Sequence, residues 1–294
     1  ISLLPIDNLI GTPFSSYLAN DEVKDGFSER GGYPVIKRKM KQWALRITAY
    51  SNRLLEDLNK IDWPSSIKEI QKNWIGKSTG ASIFFKIDEK DNASIEVYTT
   101  RPDTIFGVTF LVLSPEHPII EEFIESKHVS AYVKECKQKT EIERKKSKLI
   151  TGVFSDMYAL HPITNKKIPI WISDYVLIDY GTGAIMAVPC GDQRDWSFAN
   201  KLDLEIQNIF EGVDISKSSH EEKEIILKDS DFVNGLSSNE ASKKIVSFLV
   251  SKKLGNSRTN FQQRDALFSR QSYWGEPFPV YYEDDTPKIF PDNE

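Results

Sequence analysis

Ala81-Ser82-Ile83-Phe84-Phe85-Lys86-Ile87 and Ser94-Ile95-Glu96-Val97-Tyr98-Thr99 are short runs of β-branched and aromatic residues. Asp88-Glu89-Lys90-Asp91-Asn92 between them is turn chemistry, so the pattern predicts two strands joined by a turn. Outward from this pair, Val108-Thr109-Phe110-Leu111-Val112-Leu113 is a third strand, and strand text returns at residues 168–171, 175–179 and 184–188. Residues 118–148 are charged and helical in period, with 141–146 as a solvated face. Residues 193–201 and 240–253 read as helices, and 211–230 as a surface insertion. The stretch from about Gly76 to Leu254 is therefore a β-rich α+β core.

The flanks differ in style. Trp43, Ile47, Tyr50, Leu54, Leu55 and Leu58 fall mostly three and four apart, which predicts an amphipathic helix that Asp62-Trp63-Pro64 ends. A second helix is expected over residues 66–74, with Ser65 or Ser66 as its N-cap. The 294 residues carry 38 basic and 43 acidic side chains, a net charge of −5, with 39% hydrophobic residues. That composition supports a sizeable core and excludes a bulk-charge nucleic-acid binder. No apolar run approaches the roughly 20 residues of a membrane span, and Cys136 and Cys190 are too few for a disulfide scaffold or a thiolate zinc site. A protein without membrane segments, intracellular and mildly acidic, is expected.

Chemistry concentrates in two segments. In Thr99-Thr100-Arg101-Pro102-Asp103-Thr104-Ile105-Phe106-Gly107 a strand ends in two hydroxyls, an Arg and a Pro that fixes φ. This makes a hydroxyl-rich wall with one cation, or an ordinary strand-to-turn connection. In Tyr180-Gly181-Thr182-Gly183-Ala184-Ile185-Met186-Ala187-Val188-Pro189-Cys190-Gly191-Asp192-Gln193-Arg194-Asp195, a small-residue strand breaks into a helix start. Asp192 and Asp195 share a face there and suit holding a substrate ammonium, or else they cap the helix and meet its dipole. Cys190 has no neighbouring His to activate it, and no His/Cys/Asp cluster has metal-ligand spacing.

Taken together, these two segments closely resemble the editing domain of leucyl-tRNA synthetases, of bacterial or organellar type. The Thr-Thr-Arg-Pro opening and the Gly-Thr-Gly strand are shared with the isoleucine and valine enzymes. Asp103-Thr104-Ile105-Phe106-Gly107, Met186-Ala187-Val188-Pro189 and Asp192-Gln193-Arg194-Asp195 point to the leucine family. Asn73-Trp74-Ile75-Gly76-Lys77-Ser78 resembles the entry into the insertion, and Ser269-Arg270-Gln271-Ser272-Tyr273-Trp274-Gly275 the return. The resemblance implies a β-barrel-like core surrounded by helices at residues 76–255. It makes 1–75 the flank and linker to a catalytic domain, and 256–294 the return segment. The ATP-binding His-x-Gly-His and Lys-Met-Ser-Lys-Ser motifs are absent, so an excised piece without aminoacylation activity is expected.

The activity implied is hydrolysis of the aminoacyl ester of mischarged tRNA-Leu at its 3′-terminal adenosine, without cofactor or metal. It would act in cis with the remainder of the synthetase, as a monomer, in the cytoplasm or alternatively an organelle. By resemblance, Thr99 and Thr100 contact substrate and position water, and Asp195 holds the α-ammonium. Arg101 binds the terminal adenosine and its phosphate, and Thr104 blocks the leucine side chain. Met186 and Val188 line the side-chain pocket, Tyr180 contacts the ribose or adenine side, and Asp192 is a further substrate-binding residue. Cys190-Gly191 departs from the Gly-His usual in the family at this point. The alternative is a tRNA-binding fragment without hydrolytic activity, motivated by basic stretches at 37–41 and 144–148.

Overall fold

The structure is a computed structural model that describes residues 2–11, 16–18, 23–24, 27–88, 90, 93–123, 126–138, 144, 150–178, 181–222, 224–267, 280–284 and 286–290. It divides into two compact units, Ile1–Asp57 with Gln263–Glu294, and Leu58–Gln262.

In the first unit β1 (Ser2–Gly11) pairs antiparallel with β2 (Ser16–Leu18), and β3 (Val23–Lys24) pairs with β4 (Phe27–Ser28). Along its other edge β1 pairs with β5 (Val35–Leu45), from Ser2 opposite Ala44 to Gly11 opposite Val35. The helical spacing that begins at Trp43 is thus overridden, because Trp43 lies opposite Leu3 in a ladder of backbone hydrogen bonds. Coiling starts only at the 3-10 turn Ile47–Tyr50 and continues as α1 (Ser51–Asp57).

The second unit opens with α2 (Ser65–Ile75). Its N-cap is Pro64, without a side-chain cap bond, so neither serine caps it; Ser65 is already the first helical residue. The main sheet is built from β6 (Lys77–Ile87), β7 (Ser94–Thr99), β8 (Phe110–Leu113), β9 (Val153–Leu160), β10 (Lys167–Ile172), β11 (Ala184–Ala187) and β12 (Gly255–Phe261). Around it lie α3 (Pro118–Phe123), α4 (Lys127–Gln138), α5 (Gln193–Lys201) and α6 (Ser238–Ser251). The strand order is β11-β8-β10-β9-β6-β12, with β7 beside β6. The β8–β10 pair is parallel and the others are antiparallel, so the sheet is mixed.

The expectation of a barrel is corrected here, because the sheet is open. Among the described strands, β11 ladders only with β8 and β12 only with β6, and no ladder joins these two ends. Closure would need β11 to ladder with β7 or β12, and both of these pair with β6 alone among the described strands. On β6, residues 77–83 are taken by β12 and 81–86 by β7, while β9 reaches it only at Lys86 and Ile87.

The core follows the strand period. Ile83, Phe85 and Ile87 alternate inward on β6, meeting Ile95 and Val97 of β7 and Ile168, Ile170 and Ile172 of β10. All four residues of β8 are buried. Leu111 and Leu113 face this cluster, whereas Phe110 and Val112 face a second one with Val176, Phe198 and Ala199. Burial on both faces explains why its sequence reads as an uninterrupted apolar run. Residues 211–230 are only partly a surface insertion, since Leu227 is buried and bridges to Phe210. Residues 175–178 form turn rather than strand. In the first unit β13 (Ala266–Leu267) pairs with β5, and β14 (Val280–Glu283) with β15 (Thr286–Ile289).

Candidate active site

Antiparallel pairing sets the start of β8 beside the end of β11, Phe110 opposite Ala187. The 3-10 helix Pro102–Gly107, which precedes β8, and the turn that follows β11 are therefore neighbours. The Thr109 amide extends this ladder to the Ala187 carbonyl at 3.2 Å. Gly107 packs so closely on the turn that a Cβ there would meet Val188 Cγ1 and Cys190 Sγ at 3.1 Å. Topology thus brings together two segments that lie some eighty residues apart in sequence.

Thr99 ends β7, and Gly80 of β6 packs under it; a Cβ at Gly80 would fall 2.0 Å from the Thr99 carbonyl oxygen. The Thr99 hydroxyl accepts the Arg101 amide at 3.0 Å, and Thr100 is exposed. Arg101 forks onto Asp103, with Nε 3.1 Å from both carboxylate oxygens and Nη2 2.8 Å from Oδ2. Asp103 also accepts the Ser242 hydroxyl of α6 at 3.2 Å. Thr104 donates its hydroxyl to the Arg101 carbonyl at 2.8 Å. Thr104, Met186 and Val188 are 4%, 7% and 6% exposed, and the last two belong to the main core cluster. Tyr180 lies outside the described residues.

Asp192 caps α5, its Oδ1 accepting the amides of Arg194 at 2.8 Å and Asp195 at 3.2 Å. Asp195, 4% exposed, accepts the Tyr175 hydroxyl on Oδ1 at 3.0 Å and the Val188 amide on Oδ2 at 2.9 Å. Burial, and next the charge of Asp192, push its carboxyl up to about 7; the bonds from Val188 and Tyr175 oppose that rise. Among the described residues no hydrogen bond links a side chain of residues 99–104 to Asp192 or Asp195; the two segments meet through Gly107, Val188 and Cys190. Burial also pushes the Cys190 thiol up to about 11, which keeps it protonated at neutral pH and argues against a thiolate nucleophile.

Two residues that lie outside both motif segments belong to this region. His161 is buried, and its Nδ1 accepts the amides of Ile163 and Thr164 at 3.2 Å each. The proton therefore sits on Nε2, which donates to the Ile105 carbonyl at 2.9 Å and ties down the 3-10 helix that carries Thr104. Tyr175, holding Asp195, is the other. Partners 56 and 20 residues away leave no local signal. Among the described residues, no group of three His, Cys, Asp or Glu side chains is arranged to hold a metal ion. No described helix is long and apolar enough to cross a membrane.

Comparison with known proteins gives these features a context. Residues 72–250 match the family model described as the leucyl-tRNA synthetase editing domain. A leucine–tRNA ligase of Christiangramia forsetii is 54% identical over 277 residues, covering 92% of this chain and 29% of the relative. That of Flavobacterium psychrophilum is 50% identical over 298 residues, covering 92% and 31%. A LeuRS of Agrobacterium radiobacter, solved as a ternary complex with tRNA and LeuAMS, superposes with a TM-score of 0.75 at 30% identity, covering 98% of this chain and 34% of that one. The fold and the paired motifs define a synthetase-type editing module. The chain belongs to the leucyl-tRNA synthetase editing-domain family, of bacterial type. It spans about three tenths of the length of these curated relatives.

Proposed function

We propose that this chain hydrolyses the aminoacyl ester of mischarged tRNA-Leu, as the editing part of a leucyl-tRNA synthetase. The observation that carries the reading is the convergence of the Thr99-to-Gly107 segment with the Val188-to-Asp195 turn. It sets a buried carboxylate on the Val188 amide, and the Val188 side chain packs against Gly107 of the other segment. Discrimination by one methylene is worth only ~1–3 kcal/mol in a binding pocket, so a second site that admits other acyl groups and excludes leucine multiplies selectivity.

In this reading Asp195 takes the α-ammonium as a charge-assisted partner, and Thr104 blocks the leucine side chain against Met186 and Val188. The hydroxyls of Thr99 and Thr100 position a water. Its oxygen attacks the ester carbonyl carbon, the bond to the ribose oxygen breaks, and that oxygen takes up the proton the water gives up, leaving the free amino acid and the ribose hydroxyl. Arg101 keeps part of its side chain open to solvent, 24%, and meets the terminal adenosine and phosphate, with Tyr180 on the ribose or adenine side. Asp192 supports the site by capping α5, the helix that carries Asp195. The hydrolytic unit is residues 76–255. The remainder of the synthetase acts in cis, as a monomer, and supplies most of the tRNA affinity, so a net charge of −5 is compatible with a local grip on one nucleotide.

The alternative, tRNA binding without hydrolysis, loses part of its motivation. Arg144 is not on a basic face; it is buried and pairs with Glu116, and its Nη2 also donates to the Cys136 carbonyl at 2.6 Å. The test is deacylation by the intact protein. D195A is expected to abolish hydrolysis of mischarged tRNA-Leu, and T104A to make correctly charged Leu-tRNA a substrate. Leu-tRNA that stays intact with T104A would remove Thr104 from the pocket.

A further inference from the structure

We propose that Tyr175 is a positioning residue for this reaction, its hydroxyl holding the Asp195 carboxylate in the orientation that receives the substrate ammonium. The inference rests on the reading of Asp195 given above. Asp195 sits in the first turn of α5, and its two oxygens each have one fixed donor: the Val188 amide on Oδ2 and the Tyr175 hydroxyl on Oδ1. The Val188 amide belongs to the backbone that leaves β11, so Tyr175 is the side chain that fixes the other end of the carboxylate.

Tyr175 is well placed to do so rigidly. It stands in the turn after β10, and its ring packs on Phe198 of α5, the helix that carries Asp195, at 5.7 Å between centroids. Burial, and next the Asp195 charge, raise the Tyr175 phenol well above its ordinary range, so it remains a donor throughout the working pH range. The titratable and charged groups acting on Asp195 are Asp192 and Arg194 at the start of α5, Tyr175 across from it, and Cys190 in the turn after β11. Asp192 disfavours the carboxylate. Tyr175 and Val188 favour it, so the phenol also holds Asp195 in the charged form an ammonium requires.

The experiment compares parent, Y175F and D195A in deacylation of mischarged tRNA-Leu by the intact protein between about pH 6 and pH 9. Phenylalanine keeps the ring against Phe198 and removes only the donor. The acid limb of the Y175F profile is expected to move up by about one pH unit, so that the loss at pH 7 is about five-fold larger than the residual loss that misorientation leaves in alkali. A profile superimposable on the parent's overturns the proposal. So does an equal loss at every pH, or a Y175F protein that unfolds, because the hydroxyl is then inert or merely structural. D195A separates the two levels. A D195A protein that deacylates like the parent refutes the reading of Asp195, and this inference with it. A dead D195A beside an unshifted Y175F refutes the role of Tyr175 alone.

Discussion

Arg101 and Asp103 lock one another: the guanidinium meets both carboxylate oxygens through Nε, and Nη2 closes on Oδ2 at 2.8 Å. Asp103 is buried, whereas Arg101 keeps a solvent-facing side. The pair defines where the cation of the candidate site stands. Asp103→Ala would leave the guanidinium without its fork and the Ser242 hydroxyl without its acceptor. A loss of about 2–3 kcal/mol is expected, below the range for fully buried pairs because water can reach Arg101. Denaturant unfolding measures it, and a stability change within about 0.5 kcal/mol would show the fork to be dispensable.

Asp192→Asn isolates charge from capping. Asparagine caps a helix as well as aspartate does, so α5 is expected to keep its stability. The negative charge beside Asp195 disappears, and the Asp195 carboxyl falls below its value of about 7. The proposed hydrolysis uses the ionised form, so it is expected to be lost as pH falls through that value, and the acid limb in D192N to move to lower pH. Asp192 is partly exposed, so the shift stays under about one unit and shrinks with added salt. An acid limb that does not move would mean Asp195 is not the group that titrates.

His161 makes stability depend on pH. Burial lowers its affinity for a proton in the folded chain, and Nδ1 already accepts two amides. Below about pH 6.5 the unfolded chain therefore binds more protons than the folded one. The contribution is full above that pH and is lost as pH falls. His161→Gln is expected to be less stable by about 1–3 kcal/mol at alkaline pH, with a flatter dependence between about pH 8 and pH 5.5. Unfolding midpoints at the two pH values decide it; equal slopes in parent and variant would rule His161 out.

Phe198 is the anchor under α5. Its ring stacks on Phe110 at 5.4 Å and meets the rings of Trp171 and Tyr175 at 5.7 Å. Phe198→Ala empties this cluster and is expected to cost about 3–5 kcal/mol. The helix that carries Asp195 would lose its seat, so deacylation should fall alongside the unfolding midpoint. A midpoint within a few degrees of the parent's would mean the cluster collapses around the gap.

Several strands were legible because their side chains alternate or are uniformly apolar. β6, β7, β8, β10 and β11 carry Ile83, Phe85, Val97, Leu111, Ile170 and Met186, whose pattern is that of a buried ladder. β9 and β12 were not read: in β9 the polar pair Ser155-Asp156 interrupts the apolar residues and breaks their alternation, and β12 is polar apart from Phe261. Ser155 of β9 is buried all the same, since its hydroxyl donates to the Ile170 carbonyl at 2.7 Å. β12 runs Gly-Asn-Ser-Arg-Thr-Asn-Phe along the edge of β6, held by backbone hydrogen bonds that side-chain chemistry does not announce.

By itself the sequence determined the local text of the site: hydroxyls and an Arg after a strand, a carboxylate pair at a helix start, and strands rich enough in apolar residues to bury them. Only the tertiary structure decided that the sheet stays open, that Arg144 is a core ion-pair partner, and that Cys190 is a protonated thiol. It alone decided that Tyr175 and His161 hold Asp195 and the Thr104 helix. These outcomes depend on which edges a strand finds free and on how much water remains around a charge. Both are set by groups distant in sequence, so no local pattern carries them.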